Sequence, residues 1–183
     1  MLRIADTGLG NYCLMLIKGI PHEAYIIALI IFCIGSGAAI VKKSCKEGLR
    51  WSAAILLAEY VFMVLGSTVL FRQTKPAAEY NFTPFWSYYA IHQGWKDYIA
   101  EDVMNAVVFI PIGFLAGVAF RRINWKKTIC FGLGLSSFIE TMQFVLKRGF
   151  SEFDDIIHNT LGCIVGYGLF VMINRMRKWI LQR

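Results

Sequence analysis

A chain of 183 residues, 57% hydrophobic and only 17% charged, is too apolar for an ordinary soluble domain, in which about a quarter of residues carry charge. The net charge of +7 would suggest a nucleic-acid partner in a soluble protein. Here the basic residues sit at the ends of apolar runs, where topology and anionic lipid account for them, and nucleic acid is excluded as a partner.

The sequence MLRIADTGLG lacks the basic n-region and clean apolar core of a cleaved signal peptide. The apolar stretch 9–17 is short, and Lys18-Gly19-Ile20-Pro21 breaks it. Residues 1–20 therefore read as an interfacial or partly inserted segment, and 21–183 as a single transmembrane domain.

Apolar runs of about 20 residues, the length of a bilayer-spanning helix, then follow in order. They cover roughly 24–41, 49–71, 103–120, 127–146 and 156–173. The expected fold is all-α, a polytopic membrane bundle of about five transmembrane helices. Pro111-Ile112-Gly113 marks a kink in the third span. Gly113-x-x-x-Gly117 and Gly162-x-x-x-Gly166 are spacings that let membrane helices approach closely. The five cysteines form no CxxC pair and read as small buried hydrophobes rather than a disulfide frame.

Charge sets the orientation. With the N-terminus outside, the three inner segments hold 12 of the 19 basic residues, among them Lys42, Lys43, Arg121, Arg122, Arg175 and Arg177, against one acidic residue, Glu47. The positive-inside rule thus predicts N-out, C-in. The long outer connection, residues 72–102, is rich in Trp, Tyr and Phe. It is either an aromatic interface belt with a surface helix or a lid for something with rings or acyl chains.

That topology places polar residues from four spans at the outer end: Arg72, Asn105, Glu140, Gln143, Arg148, Asp155 and Asn159. Glu140, Gln143 and Lys147 share one helix face, as do Asp155, Asn159 and Gly162, and Asn105, Phe109 and Ile112. Such faces turn inward, because an unpaired charge toward lipid is costly. A polar cavity open to the outside or the outer leaflet is expected. Arg72 and Arg148 suit phosphate or carboxylate. Glu140 and Asp155 are candidate acid/base groups, and the pair equally suits binding of an amine or a sugar. Structural pairing of Glu140 with an arginine, and of Gln143 with Asn159, is the bland alternative. Ser136 and Ser137 lack a nucleophile elbow. Glu59, alone in the second span, is an arginine partner or a proton-relay group. No HxxxH or HExxH spacing joins His92 and His158 to Asp154 and Asp155, and no metal or other cofactor is expected.

Ordered segments of the chain resemble the VanZ-like family of small bacterial membrane proteins. They are Leu70-Phe71-Arg72, Asn81-Phe82-Thr83-Pro84-Phe85, EDVMNAVVFIPIG (101–113), SSFIETMQ (136–143) and RGFSEFDDIIHNTLG (148–162). Together they run over about 70–168. Met104 departs from the family's more polar residue before Asn105. The resemblance assigns the polar positions to Arg72, Asn81, Asn105, Glu140, Gln143, Arg148, Asp155 and Asn159. Its namesake is associated with low-level resistance to teicoplanin, a lipoglycopeptide acting on cell-wall precursors at the outer membrane face. Three functions follow as expectations. One is binding of a membrane lipid, a lipid-linked cell-wall intermediate or a lipoglycopeptide at the bacterial cytoplasmic membrane. The second is an intramembrane hydrolase or transferase using Glu140 and Asp155. The third is a structural partner of another membrane protein. The oligomeric state is left open.

Overall fold

The computed structural model describes residues 20–42 and 45–182. The expected interfacial segment falls almost wholly outside them. Six helices and one two-residue parallel bridge are present among the described residues. Helix α1 spans His22–Lys42 and α2 spans Cys45–Leu65, which continues into a π-helical turn at Gly66–Leu70. The connection to the next span carries β1 (Tyr80–Asn81) and the short helix α3 (Trp86–His92). Then come α4 (Asp97–Ala119), α5 (Trp125–Leu146), β2 (Ser151–Glu152) and α6 (Phe153–Leu181). Five of these helices are long and apolar enough to cross a bilayer, as the apolar runs predict. Each extends a few residues beyond its run at one or both ends, because polar first and last turns remain helical outside hydrocarbon.

Local chemistry fixes the ends. Asn124 caps α5, its side chain accepting from the Lys127 N–H at 2.9 Å, which satisfies a donor that the first turn cannot pair. Lys147 closes α5 in the left-handed conformation, φ 55°. Its side chain therefore leaves the face shared by Glu140 and Gln143, and it is exposed. Pro111 lies inside α4, which runs on through it as one helix rather than breaking. Membrane helices tolerate proline where neighbours support the backbone.

The central seam joins α4 to α6. A Cβ on Gly113 would lie 2.0 Å from the Cys163 carbonyl oxygen, and one on Gly162 would lie 2.0 Å from that of Ala106. On Gly166 it would lie 1.9 Å from the Ile110 carbonyl oxygen. Backbone meets backbone here, as small-xxx-small spacing predicts. Helix α5 packs on α6, α2 packs on α4, and α1 lies at the edge against α2. Leu57, Val64, Val69, Phe109, Ile112, Ala116, Ile139 and Cys163 form the buried core. One end of the bundle bears the aromatic connection and the turn between α5 and α6. The other bears the basic residues, where Arg121 pairs with Glu47 at 2.8 Å.

Candidate functional site

The site begins where α2 unwinds. A π turn displaces carbonyls from the regular helical ladder, and such turns recur at functional positions. Here two side chains from beyond α2 collect the carbonyls. Gln143 Nε2 donates to the Thr68 carbonyl at 3.2 Å. Arg148 Nη1 donates to the carbonyls of Val69 and Leu70 at 3.1 and 2.7 Å, and its Nε reaches Thr74 Oγ1 at 3.3 Å. A guanidinium at a helix C-terminus also meets the negative end of the dipole. Arg148, expected as a ligand-binding cation, is thus the cap of α2.

Beside this cap lies a cavity of about 70 Å³. Of the sequence-predicted residues it brings together Arg72, Asn105, Glu140, Gln143, Asp155 and Asn159, from α2's end, α4, α5 and α6. Ser67, Thr68 and Glu101 complete its polar wall, and Val64, Val108, Phe109, Ile139 and Phe150 its apolar one. There is room for a few water molecules or one small oxyanion. Arg148 and Asn81 are not in the lining. Asn81 sits in the connection above, where its Oδ1 accepts from the Thr83 N–H at 3.0 Å and its backbone pairs in register with Glu152. It shapes the cover rather than the pocket.

The polar walls hold one another in place. Asn105 Nδ2 donates to Asp155 Oδ1 at 2.6 Å. Asn159 Nδ2 donates to Ser136 Oγ at 2.9 Å, and Ser136 Oγ donates to the Asp155 carbonyl at 3.4 Å. Ser136 therefore joins α5 to α6, and Gln143 and Asn159 have separate partners rather than the alternative bond to each other. Glu140 Oε2 accepts from the Glu152 N–H at 2.9 Å, and the Glu140 carbonyl accepts from Ser151 Oγ at 3.0 Å. Arg72 acts electrostatically on both Glu140 and Glu101. Gly149, at φ +88°, allows this: a Cβ there would meet Arg72 Nη1 at 2.4 Å and Gln143 Nε2 at 3.2 Å. Only a glycine lets the guanidinium lie against that turn. Gln143 is buried, yet its Oε1 has no hydrogen-bond partner. A buried, unmatched acceptor is unfavourable unless water or a ligand supplies a donor.

A second cluster holds Asp154 and His158, which the sequence offers only as weak metal-ligand candidates. Asp154 accepts from the N–H groups of Phe85 (2.6 Å) and Ser87 (2.8 Å), anchoring the start of α3. Phe85 takes a left-handed φ of 61°, which costs a non-glycine residue and needs such support. His158, on the next turn of α6, lies 3.4 Å from Asp102 through Nδ1 and 3.1 Å from the Tyr88 hydroxyl through Nε2. His92 is exposed at the end of α3, away from this cluster. Glu152 is buried in the turn below. Burial, and then the charges of Glu101, Asp154, Glu140 and Asp102, push its carboxyl up to about 8. Spacing pointed to none of these, because the contacts link α3 and α4 to residues more than 50 positions away. Glu59, in α2, is not in the cavity; its Oε1 is buried and has no hydrogen-bond partner.

A family model described as VanZ/LLP1 matches residues 51–174, well over half of the chain. Over 75 residues the chain is 35% identical to Protein VanZ of Enterococcus faecium, a stretch covering 41% of this chain and 47% of that protein. The chain thus spans about half the length of that relative. No solved structure matches.

Proposed function

The chain belongs to the VanZ/LLP1 family and is a membrane protein, and we propose that its polar cavity holds the anionic head of an amphiphile at the outer face of the bacterial cytoplasmic membrane. In this reading the basic end faces the cytoplasm, so the N-terminus is outside and the C-terminus inside. The aromatic connection then lies at the outer interface, where Trp and Tyr rings are favoured. The amphiphile is a lipid-linked cell-envelope intermediate or a lipoglycopeptide, and its sequestration or modification underlies protection against teicoplanin.

One observation carries the reading. Nine polar side chains from separate parts of the chain, Arg72 and three carboxylates among them, line one small cavity, and Gln143 within it has an unmatched acceptor. Structural hydrogen bonds in membranes contribute only about 0.6–2 kcal/mol each. Burying Glu140 and half-burying Glu101 and Asp155 for packing alone would be unfavourable. Arg72 is the cation for a phosphate or carboxylate, since Arg148 is engaged at the end of α2. Asn105, Asn159 and Gln143 supply neutral polar contacts.

A second reading has its own support: Glu140 and Asp155 line the same cavity, a pair that acid/base chemistry on a lipid-linked substrate would use. Glu140→Gln separates the two. It keeps shape and hydrogen bonding, so binding survives, whereas proton transfer is lost. The test is thermal stabilisation of the purified protein in phosphatidylcholine nanodiscs by teicoplanin and, separately, by a polyisoprenyl phosphate. Stabilisation by either that is lost in Arg72→Ala supports the binding site. No stabilisation by either, or stabilisation unchanged in Arg72→Ala, refutes it.

A further inference from the structure

We propose that the amphiphile reaches this cavity sideways from the bilayer, with its hydrocarbon chain lying in a groove between α1, α2 and α4. This rests on the reading of the cavity as a head-group site. The groove has a volume of about 440 Å³, far more than the polar cavity beside it. Tyr25 of α1, Tyr60 and Met63 of α2, and Met104, Val107 and Pro111 of α4 form most of its walls. Three further residues, Val64, Ser67 and Val108, line the groove and the polar cavity alike. The two spaces therefore adjoin at these three residues, one of them, Ser67, in the π turn.

Chemistry assigns the occupant. The groove is apolar, and Val107, at its rim, is half-exposed at 44%, facing hydrocarbon in a spanning helix. A water-borne ligand gains nothing there. A chain carried in the membrane fits, and the shared residues bring its end to the cavity that Arg72 lines. On the aqueous side Phe150 lines the cavity and the Ser151–Glu152 turn donates to Glu140, while Arg72 is exposed. The polar connections of Tyr60 strengthen the groove floor, its hydroxyl donating to the Val108 carbonyl at 3.0 Å. The proposed occupant is thus a long-chain lipid with an anionic head.

The test places a photoreactive benzoylphenylalanine at Val107, or at the lipid-facing control Leu133 on α5, in the full chain. Protein in phosphatidylcholine nanodiscs is offered a polyisoprenyl phosphate or the matching polyisoprenol, and adducts are read by mass spectrometry. The expected result is severalfold greater capture of the phosphate at Val107 than at Leu133, falling to the control level in Arg72→Ala, with the polyisoprenol captured equally at both positions. Equal capture of the phosphate at both positions overturns the lateral route, as does a crosslink to the chain's own residues in place of lipid. So does enriched capture that ignores Arg72→Ala. If head-group stabilisation depends on Arg72 while capture at Val107 stays at the control level, the cavity reading stands and the groove alone is refuted.

Discussion

Replacing Gly166 by alanine is a test of the seam on which the site is built. The new methyl carbon would lie 1.9 Å from the Ile110 carbonyl oxygen, whereas ordinary contact begins near 3.4 Å. The backbones of α4 and α6 must part locally by about 1.5 Å, the difference between those distances. Overpacking of this kind costs roughly 1–3 kcal/mol. The cost here falls toward the upper end, because the obstacle is backbone and cannot rotate away. Gly134 supplies the control: nothing lies within 4 Å of its Cβ position. Alanine there should be neutral or stabilise α5 by up to about 1 kcal/mol through helix propensity. Equilibrium unfolding in mixed micelles reads both variants against wild type. If Gly166→Ala is as stable as wild type while Gly134→Ala behaves as predicted, the close α4–α6 seam is wrong.

Glu152→Gln should flatten the pH dependence of stability. Burial pushes the folded carboxyl up to about 8, above the ordinary carboxylate range, so the folded state holds the proton more tightly and stability falls as pH rises through that window. Wild type should melt lower at pH 8.5 than at pH 5, and the variant should show a smaller difference. Arg148→Ala leaves the Val69 and Leu70 carbonyls without their donor and should destabilise by about 1–3 kcal/mol; Arg148→Lys should restore only part, since one ammonium cannot reproduce the fork. Asp154→Ala removes both bonds that hold the start of α3. It should speed limited proteolysis within the 85–96 segment while thermal stability of the bundle changes by no more than about 2 kcal/mol.

Much of this was legible in the sequence, for physical reasons. Hydrocarbon demands long apolar runs, so the five spans stand out. The glycine spacings mark the α4–α6 contact because only small residues permit it. Polar residues inside such spans must face one another, which gathers Arg72, Asn105, Glu140, Gln143, Asp155 and Asn159. Helical periodicity fails where the helix ends. Lys147 follows Gln143 by four residues, yet its left-handed backbone turns it out of the face. Arg148 looks like a ligand cation because nothing in the sequence marks a π turn at Gly66–Leu70 with carbonyls in need of donors. The Asp102–His158–Tyr88 contacts join three helices across long separations, and without an independent register between them no spacing reveals them. Asn81 matched the family pattern as a polar position, but its work is local, in the turn above the cavity.

The central claim is that the polar cavity, rather than the polar residues' packing, serves function. The direct measurement is teicoplanin susceptibility of a sensitive Gram-positive host expressing wild type, Arg72→Ala, Asp155→Asn or the exposed control Lys147→Ala, at matched membrane levels. The account predicts protection by wild type and Lys147→Ala, and its loss in Arg72→Ala and Asp155→Asn. Equal protection by all four would contradict it and leave the cluster a structural one.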